Sequence, residues 1–140
     1  MYSDIPYTNK KAVAILRVSS GKQEDNFSHG VQLKHAEQYS AKDCGGQPLE
    51  LVKIFTLTES AKESSDRTKY IEAMKFIAKN KIGNVIFYMQ DREARNLTDL
   101  EENERKVMRG DFILHYSYDK KCLHRQSPES DFITRALTVK

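Results

Sequence analysis

The stretch "KAVAILRV" (11–18) constrains the fold more than any other. Its apolar residues are nearly continuous rather than alternating, the pattern of a strand covered on both faces. Such a strand cannot lie at a surface. It needs strands along its edges and helices above and below.

The rest of the chain supplies both patterns in alternation. "SHGVQLKHAEQYSAKD" (28–43) places Val31, Leu33, Ala36 and Tyr39 in an imperfect helical stripe, and "CGGQP" (44–48) ends it. Glycine favours helix ends and proline forbids continuation. "LELVKIFTLT" (49–58) reads as a second strand, and "ESAKESSDRTK" (59–69), which has no apolar period, as a polar loop. A helix follows over 66–80, with Ile71, Met74, Ile77 and Ala78 on one face. "KIGNVIFYMQD" (81–91) is a turn and third strand, "NLTDLEENERKVMRG" (96–110) a helix closed by Gly110, and "DFILHYSY" (111–118) a fourth strand. "DKKCLH" (119–124) reads as a turn. "SPESDFITRAL" (127–137) opens a last helix, with Ser127 as N-cap and Pro128 in the first helical position.

This order predicts an α/β domain with a mostly parallel central sheet flanked by helices. Residues 1–10 read as a polar tail, 11–126 as the domain, and 127–140 as the start of a longer helix whose apolar face has barely begun. The 140 residues suffice for one hydrophobic core. A net charge of +3 permits an acidic partner without demanding one, so a nucleic-acid role must rest on particular residues. No apolar run approaches the roughly 20 residues of a membrane span, and "MYSDIPYTNKK" lacks the apolar core of a signal peptide. Cys44 and Cys122 form neither a disulfide framework nor a paired zinc spacing, and are expected to be reduced thiols in a cytoplasmic protein. His29, His35, His115 and His124 are dispersed, and Cys122 with His124 has no partner pair. No metal site and no cofactor are expected.

In open α/β sheets, sites lie beyond the carboxyl ends of the strands. The first strand ends in "RVSS", the third in "QDREAR", and the polar loop adds Arg67. Arg17, Ser19, Arg67, Arg92 and Arg95 thus combine a hydroxyl with several guanidiniums. Arginine donates to phosphate in a planar fork and is always charged. Converging arginines repel one another and call for an anion. A phosphodiester supplies one, and its transition state is more negative still. A serine among them could attack phosphorus. The same residues also suit plainer roles: hydroxyls of a turn after a strand, and a solvated helix start. The residues alone do not choose between Ser19 and Ser20.

A resemblance does. "LRVSSGKQ" (16–23) resembles the R-V-S-[ST]-x-x-Q signature that opens the catalytic domain of serine recombinases, the resolvase/invertase family. In order, "SHGVQ" (28–32) resembles its S-L-x-x-Q, "ESAKESSDR" (59–67) its acidic-to-arginine loop, and "QDREARN" (90–96) its D-R-L-x-R-N. The likeness covers roughly residues 11–137. The "ESAK" wording and "LHYSYDKKCLHRQSPESDF" (114–132) look more like the large serine recombinases of integrase and transposase type.

The resemblance implies a resolvase-like catalytic domain in which Ser19 attacks the DNA phosphodiester. The products would be a 5′-phosphoserine and a free 3′-hydroxyl, formed without ATP, metal or cofactor. It implies that Ser20 takes the neighbouring Ser/Thr place and that Arg17 and Arg67 hold the scissile phosphate. Arg92 and Arg95 would stabilise the transition state, and Asp91 would orient Arg17 or Arg92. Gln23 and Gln32 would touch the phosphate or support those that do, and Glu59 matches an acidic position of the loop. The implied partners are double-stranded DNA, a second copy at each site, and a synaptic homotetramer held by the helix that starts near Ser130, with no membrane.

Two departures stand out. Ser28 lies farther from Ser19 than in the small resolvases. Glu93 replaces an apolar residue, commonly leucine, and is expected to face solvent rather than pair with Arg92. Two other classes remain. One is a decayed or regulatory recombinase-like domain that binds without cutting. The other is a receiver-type interaction module, which would want an acidic pocket where this chain has arginines.

Overall fold

A computed structural model describes residues 5–18, 28–58, 63–94 and 96–138, with the helical backbone alone at 63–66. Strand β1 (Lys11–Val18) is followed by α1 (His29–Ala41), β2 (Glu50–Thr58), α2 (Glu63–Lys79) and β3 (Asn84–Phe87). A 3₁₀ turn (Gln90–Arg92), α3 (Leu97–Met108), β4 (Ile113–Tyr116), β5 (Lys121–Leu123) and α4 (Glu129–Ala136) complete the order. The sheet runs β2-β1-β3-β4-β5. Its first four strands are parallel, and β5 pairs antiparallel with β4. The α/β architecture with a mostly parallel sheet is the one expected.

The continuous apolar run of β1 is explained by its central place. Ala12, Ala14 and Leu16 face α1, packing with Ala36 and Tyr39. Val13 and Ile15 face the opposite layer, built from Tyr70, Ala73 and Ile77 of α2, Val107 of α3 and Phe132 of α4. One helix therefore covers one face and three cover the other. The small residues Ala12, Ala14 and Ala36 let α1 approach closely even though its apolar stripe is weak.

Local signals set most boundaries. Ser28 caps α1, its Oγ accepting from the Val31 amide at 3.2 Å. Asn96 caps α3 by accepting from the Asp99 amide at 2.8 Å. Gly110 stops that helix at φ +83°, where a side chain would be strained. Residues 5–10, expected as a polar tail, are tied down. The Asn9 side chain donates to the Lys81 carbonyl at 2.8 Å and accepts from the Gly83 amide at 3.1 Å, and the Tyr7 hydroxyl donates to Asp43.

Three expectations are corrected. The segment 119–124 is more than a turn, because Lys121–Leu123 adds β5 to the sheet. Three residues are too few to show a period, and only the β4 edge makes them a strand. The last helix is capped at Pro128 rather than Ser127, and begins at Glu129. Ser127 is occupied elsewhere, its Oγ accepting from the His124 amide at 3.0 Å.

The third correction concerns the cysteines. Cys44 and Cys122, read as separate thiols, are joined in a disulfide with Cα atoms 6.4 Å apart. They are 78 positions apart in sequence, and only the placement of β5 beside the turn after α1 brings them together. No helix among the described residues is long and apolar enough to cross a membrane.

A cross-link over so long a loop restricts the unfolded chain. Reduction under metal-free conditions is expected to lower the unfolding free energy by about 2–4 kcal/mol, measured by urea titration with and without reductant.

Candidate active site

The sheet order reverses direction between β1 and β3, where the chain proceeds to opposite edges. A crevice at the carboxyl ends of such a strand pair is the usual ligand position in open α/β sheets. Arg17 stands there, in the penultimate position of β1. It is only 5% exposed, which is unusual for a charged side chain.

The backbone of Arg17 has an uncommon partner. Pairing of β1 with β2 continues to Val18, but pairing with β3 ends at Ile15. Gln32 of α1, fully buried, takes over from the missing strand. Its Nε2 donates to the Arg17 carbonyl at 2.9 Å, and its Oε1 accepts from the Arg17 amide at 3.3 Å. One primary amide thus satisfies both backbone groups, as a neighbouring strand would.

Arg92 arrives from the other side. After β3 the chain forms the 3₁₀ turn, and Arg92 Nη1 donates to the same Arg17 carbonyl at 3.4 Å. Arg17, Gln32 and Arg92 are therefore gathered at the end of β1. Burial raises the Tyr88 hydroxyl pKa, Tyr118 adds to that, and the Arg92 charge works against it. Arg92 thus acts electrostatically on this phenol at the end of β3.

Arg67 occupies a neighbouring position on α2. It is ion-paired with Asp99 at the start of α3, and its guanidinium lies over the Tyr70 ring, 5.4 Å from the centroid. Burial lifts the Tyr70 pKa, while the Arg17 charge opposes that rise. Ser19, Ser20, Gln23, Glu59 and Arg95 lie outside the described residues. Asp91, expected to orient Arg17 or Arg92, is exposed on the 3₁₀ turn. Asp99 is a carboxylate that holds one arginine of this group, Arg67. In the sequence Asp99 reads as a first-turn residue of α3, and its second role depends on α2 lying alongside.

Glu93 requires the largest correction. It is fully buried rather than solvated. Arg135 of α4 grips it with two donors, Nε to Oε1 at 2.7 Å and Nη2 to Oε2 at 2.6 Å. The Tyr116 hydroxyl donates to Oε1 at 2.6 Å and Asn103 Nδ2 to Oε2 at 3.0 Å. Arg135 is itself fully buried and also donates to the Leu100 carbonyl at 2.9 Å. Burial works against the Arg135 charge, but the hydrogen bonds and charge of Glu93 outweigh it and hold the guanidinium protonated. Burial and the Glu93 carboxylate together push the Tyr116 hydroxyl well above its usual pKa. Glu93 is thus committed to Arg135. The sequence signal for this was a charged residue three positions after Phe132, on the face that α4 turns to the core.

The family model described as "Resolvase, N terminal domain" matches residues 12–138. The chain belongs to this family. It is a resolvase-family recombinase catalytic domain by that match. Its fold is similar to the crystal structure of a resolvase family site-specific recombinase from Streptococcus pneumoniae. The TM-score is 0.66 at 17% identity, over 91% of this chain and 83% of that one. It is also similar to the N-terminal catalytic domain of TP901-1 integrase, with a TM-score of 0.60 at 17% identity over 92% and 91% of the two chains. No curated protein matches the chain significantly. The resolvase fold expected from the sequence motifs is thus the fold found.

Removing one partner of a buried ion pair leaves the other charge stranded. Glu93→Ala and Arg135→Ala are each expected to lose about 3–5 kcal/mol of unfolding free energy in urea titrations. The double variant Glu93→Leu/Arg135→Met is expected to lose less than either, because no charge is left buried.

Proposed function

We propose that this resolvase-family domain cuts and rejoins double-stranded DNA through Ser19. The observation that carries the reading is the meeting of Arg92 with the Arg17 carbonyl, two residues before Ser19, at the carboxyl end of the central strand. The Arg92 guanidinium, from the turn after β3, thus reaches the backbone of the strand that leads to Ser19, at the strand ends where the fold favours a ligand.

In the proposed reaction Ser19 Oγ attacks phosphorus and forms a P–O bond. The P–O3′ bond breaks, and the 3′-oxygen leaves and takes up a proton. The products are a 5′-phosphoserine ester and a 3′-hydroxyl, so the number of phosphoester bonds is unchanged. Attack of an exchanged 3′-hydroxyl on that ester rejoins the strands and frees Ser19. Arg17, Arg67, Arg92 and Arg95 are assigned to the phosphate oxygens and to the charge that develops on them. Gln32 positions Arg17 by holding its backbone. Ser20, Gln23 and Glu59 are assigned to the surroundings of the phosphate, and Asp91, exposed as it is, to the rim. A substrate of this kind places the protein in the cytoplasm.

The assembly is proposed as two copies at each site and four at synapsis. Supporting this, Ile133 and Leu137, four residues apart on and just after α4, are 56% and 80% exposed. A helix that presents Phe132 and Arg135 inward and these two outward has an apolar stripe left for a neighbour.

The protein expressed from its full coding sequence should be incubated with DNA flanking that sequence, then denatured. A protein–DNA adduct is expected for wild type and Ser20→Ala and absent for Ser19→Ala. An adduct that persists in Ser19→Ala overturns the assignment. DNA binding without adduct in any lane favours the decayed or regulatory class. Arg92→Ala is expected to slow adduct formation at least about 100-fold, read from a time course, as for loss of one donor to a developing oxyanion.

A further inference from the structure

A second cluster of reactive side chains lies away from the end of β1. Cys44 follows α1, His115 is on β4 and Cys122 on β5. Their ligand atoms, two sulfurs and one imidazole nitrogen, all lie within 4.8 Å of one another. His115 and Cys122 are cross-strand partners, so the β4–β5 ladder fixes their separation.

The neighbours of His115 set its tautomer. Asn84 Nδ2 donates to the carbonyls of Asn9 and Lys11, at 2.9 and 3.0 Å. Asn84 Oδ1 is therefore the atom that meets His115 Nε2, at 2.8 Å. A carbonyl oxygen only accepts, so Nε2 carries the proton and Nδ1 keeps its lone pair. Metal-bound histidines have this arrangement, with one ring nitrogen donating to a fixed oxygen and the other presenting its lone pair. In this structure the Tyr39 hydroxyl meets Nδ1 at 2.7 Å. That hydroxyl has a second acceptor, the Lys121 carbonyl at 3.4 Å, to which it can turn.

We propose that when Cys44 and Cys122 are reduced, the cluster binds one Zn²⁺ through Cys44 Sγ, Cys122 Sγ and His115 Nδ1. Two thiolates and an imidazole suit a borderline-soft cation. Zinc–sulfur bonds of about 2.3 Å in a tetrahedral site set the two sulfurs about 3.8 Å apart, within the span of the cluster. The fourth position would open toward a surface depression of about 1020 Å³, lined by both cysteines, Lys121 and His124, where water can enter.

The steps balance. A dithiol reductant delivers two electrons and two protons to the disulfide and becomes a disulfide itself. Zinc then displaces the two thiol protons and is neither oxidised nor reduced. Cys44 and Cys122 thus tie β5 to the turn after α1 in both states, through sulfur–sulfur bonding when oxidised and through the metal when reduced. In a reducing compartment, where disulfides are rare, the second state is the relevant one. This proposal does not depend on the recombination chemistry.

Co²⁺ is the probe, because thiolate ligation gives it a near-ultraviolet charge-transfer band and a tetrahedral site gives it visible bands. The reduced, metal-free chain should develop both with one equivalent of Co²⁺ and lose them when one equivalent of Zn²⁺ is added. The oxidised chain should show neither. Cys44→Ser/Cys122→Ser should lose the charge-transfer band while keeping the far-ultraviolet circular dichroism of the wild type. Zn²⁺ should raise the melting temperature of the reduced wild type and leave Cys44→Ser unmoved. A reduced, folded chain without the band, or a band unchanged in the double variant, would overturn the proposal.

Discussion

Taking a carboxylate and a guanidinium out of water costs several kcal/mol per ion, and only good geometry with further hydrogen bonds returns it. Glu93 and Arg135 meet that condition in the interior, between β4, α3 and α4. Both carboxylate oxygens are occupied, by Arg135, Tyr116 and Asn103. The pair links the segment after β3 to α4, 42 positions later, and Leu100 of α3 shares the same guanidinium. Because Arg92 directly precedes Glu93, the anchor that fixes one fixes the other. A position that holds an apolar residue in the family pattern has here become the attachment point of the last helix.

The candidate site depends on this anchor and on a second substitution of side chain for backbone. β1 extends past its pairing with β3, and its exposed backbone edge is completed by Gln32. That leaves the Arg17 carbonyl accessible to Arg92 while Arg17 itself stays buried. On the neighbouring helices, Asp99 and Tyr70 hold Arg67. The arginines are thus supplied from three elements, each restrained by a different partner.

Much of this was legible in the chain. The continuous run at 11–18 demanded a central strand, and the observed β1 has those bounds. The apolar periods and the stop at Gly110 placed the helices within a few residues. The motif order pointed to the resolvase family, which the family match bears out. What escaped was every feature whose partner lies far away in sequence. Glu93 looked like a solvated residue at a turn because nothing local announced Arg135. Asp99 carries no local mark of its pairing with Arg67, because that pairing needs α2 alongside α3. Cys44 and Cys122 looked solitary because β5, three residues long, carries no periodic signal of its own.

The sequence by itself determined the alternation of strands and helices, the burial of β1 on both faces, and the place of Arg17 at the end of β1 and of Arg92 in the segment after β3. These follow from local periodicity and from the rule that ligands sit beyond the carboxyl ends of parallel strands. The tertiary structure alone decided which charges are paired, which cysteines meet, and which nitrogen of His115 carries its proton. Those outcomes depend on contacts between residues tens of positions apart. In a desolvated interior the free energy of a charge or a lone pair is set by the atoms around it, not by its neighbours in the chain.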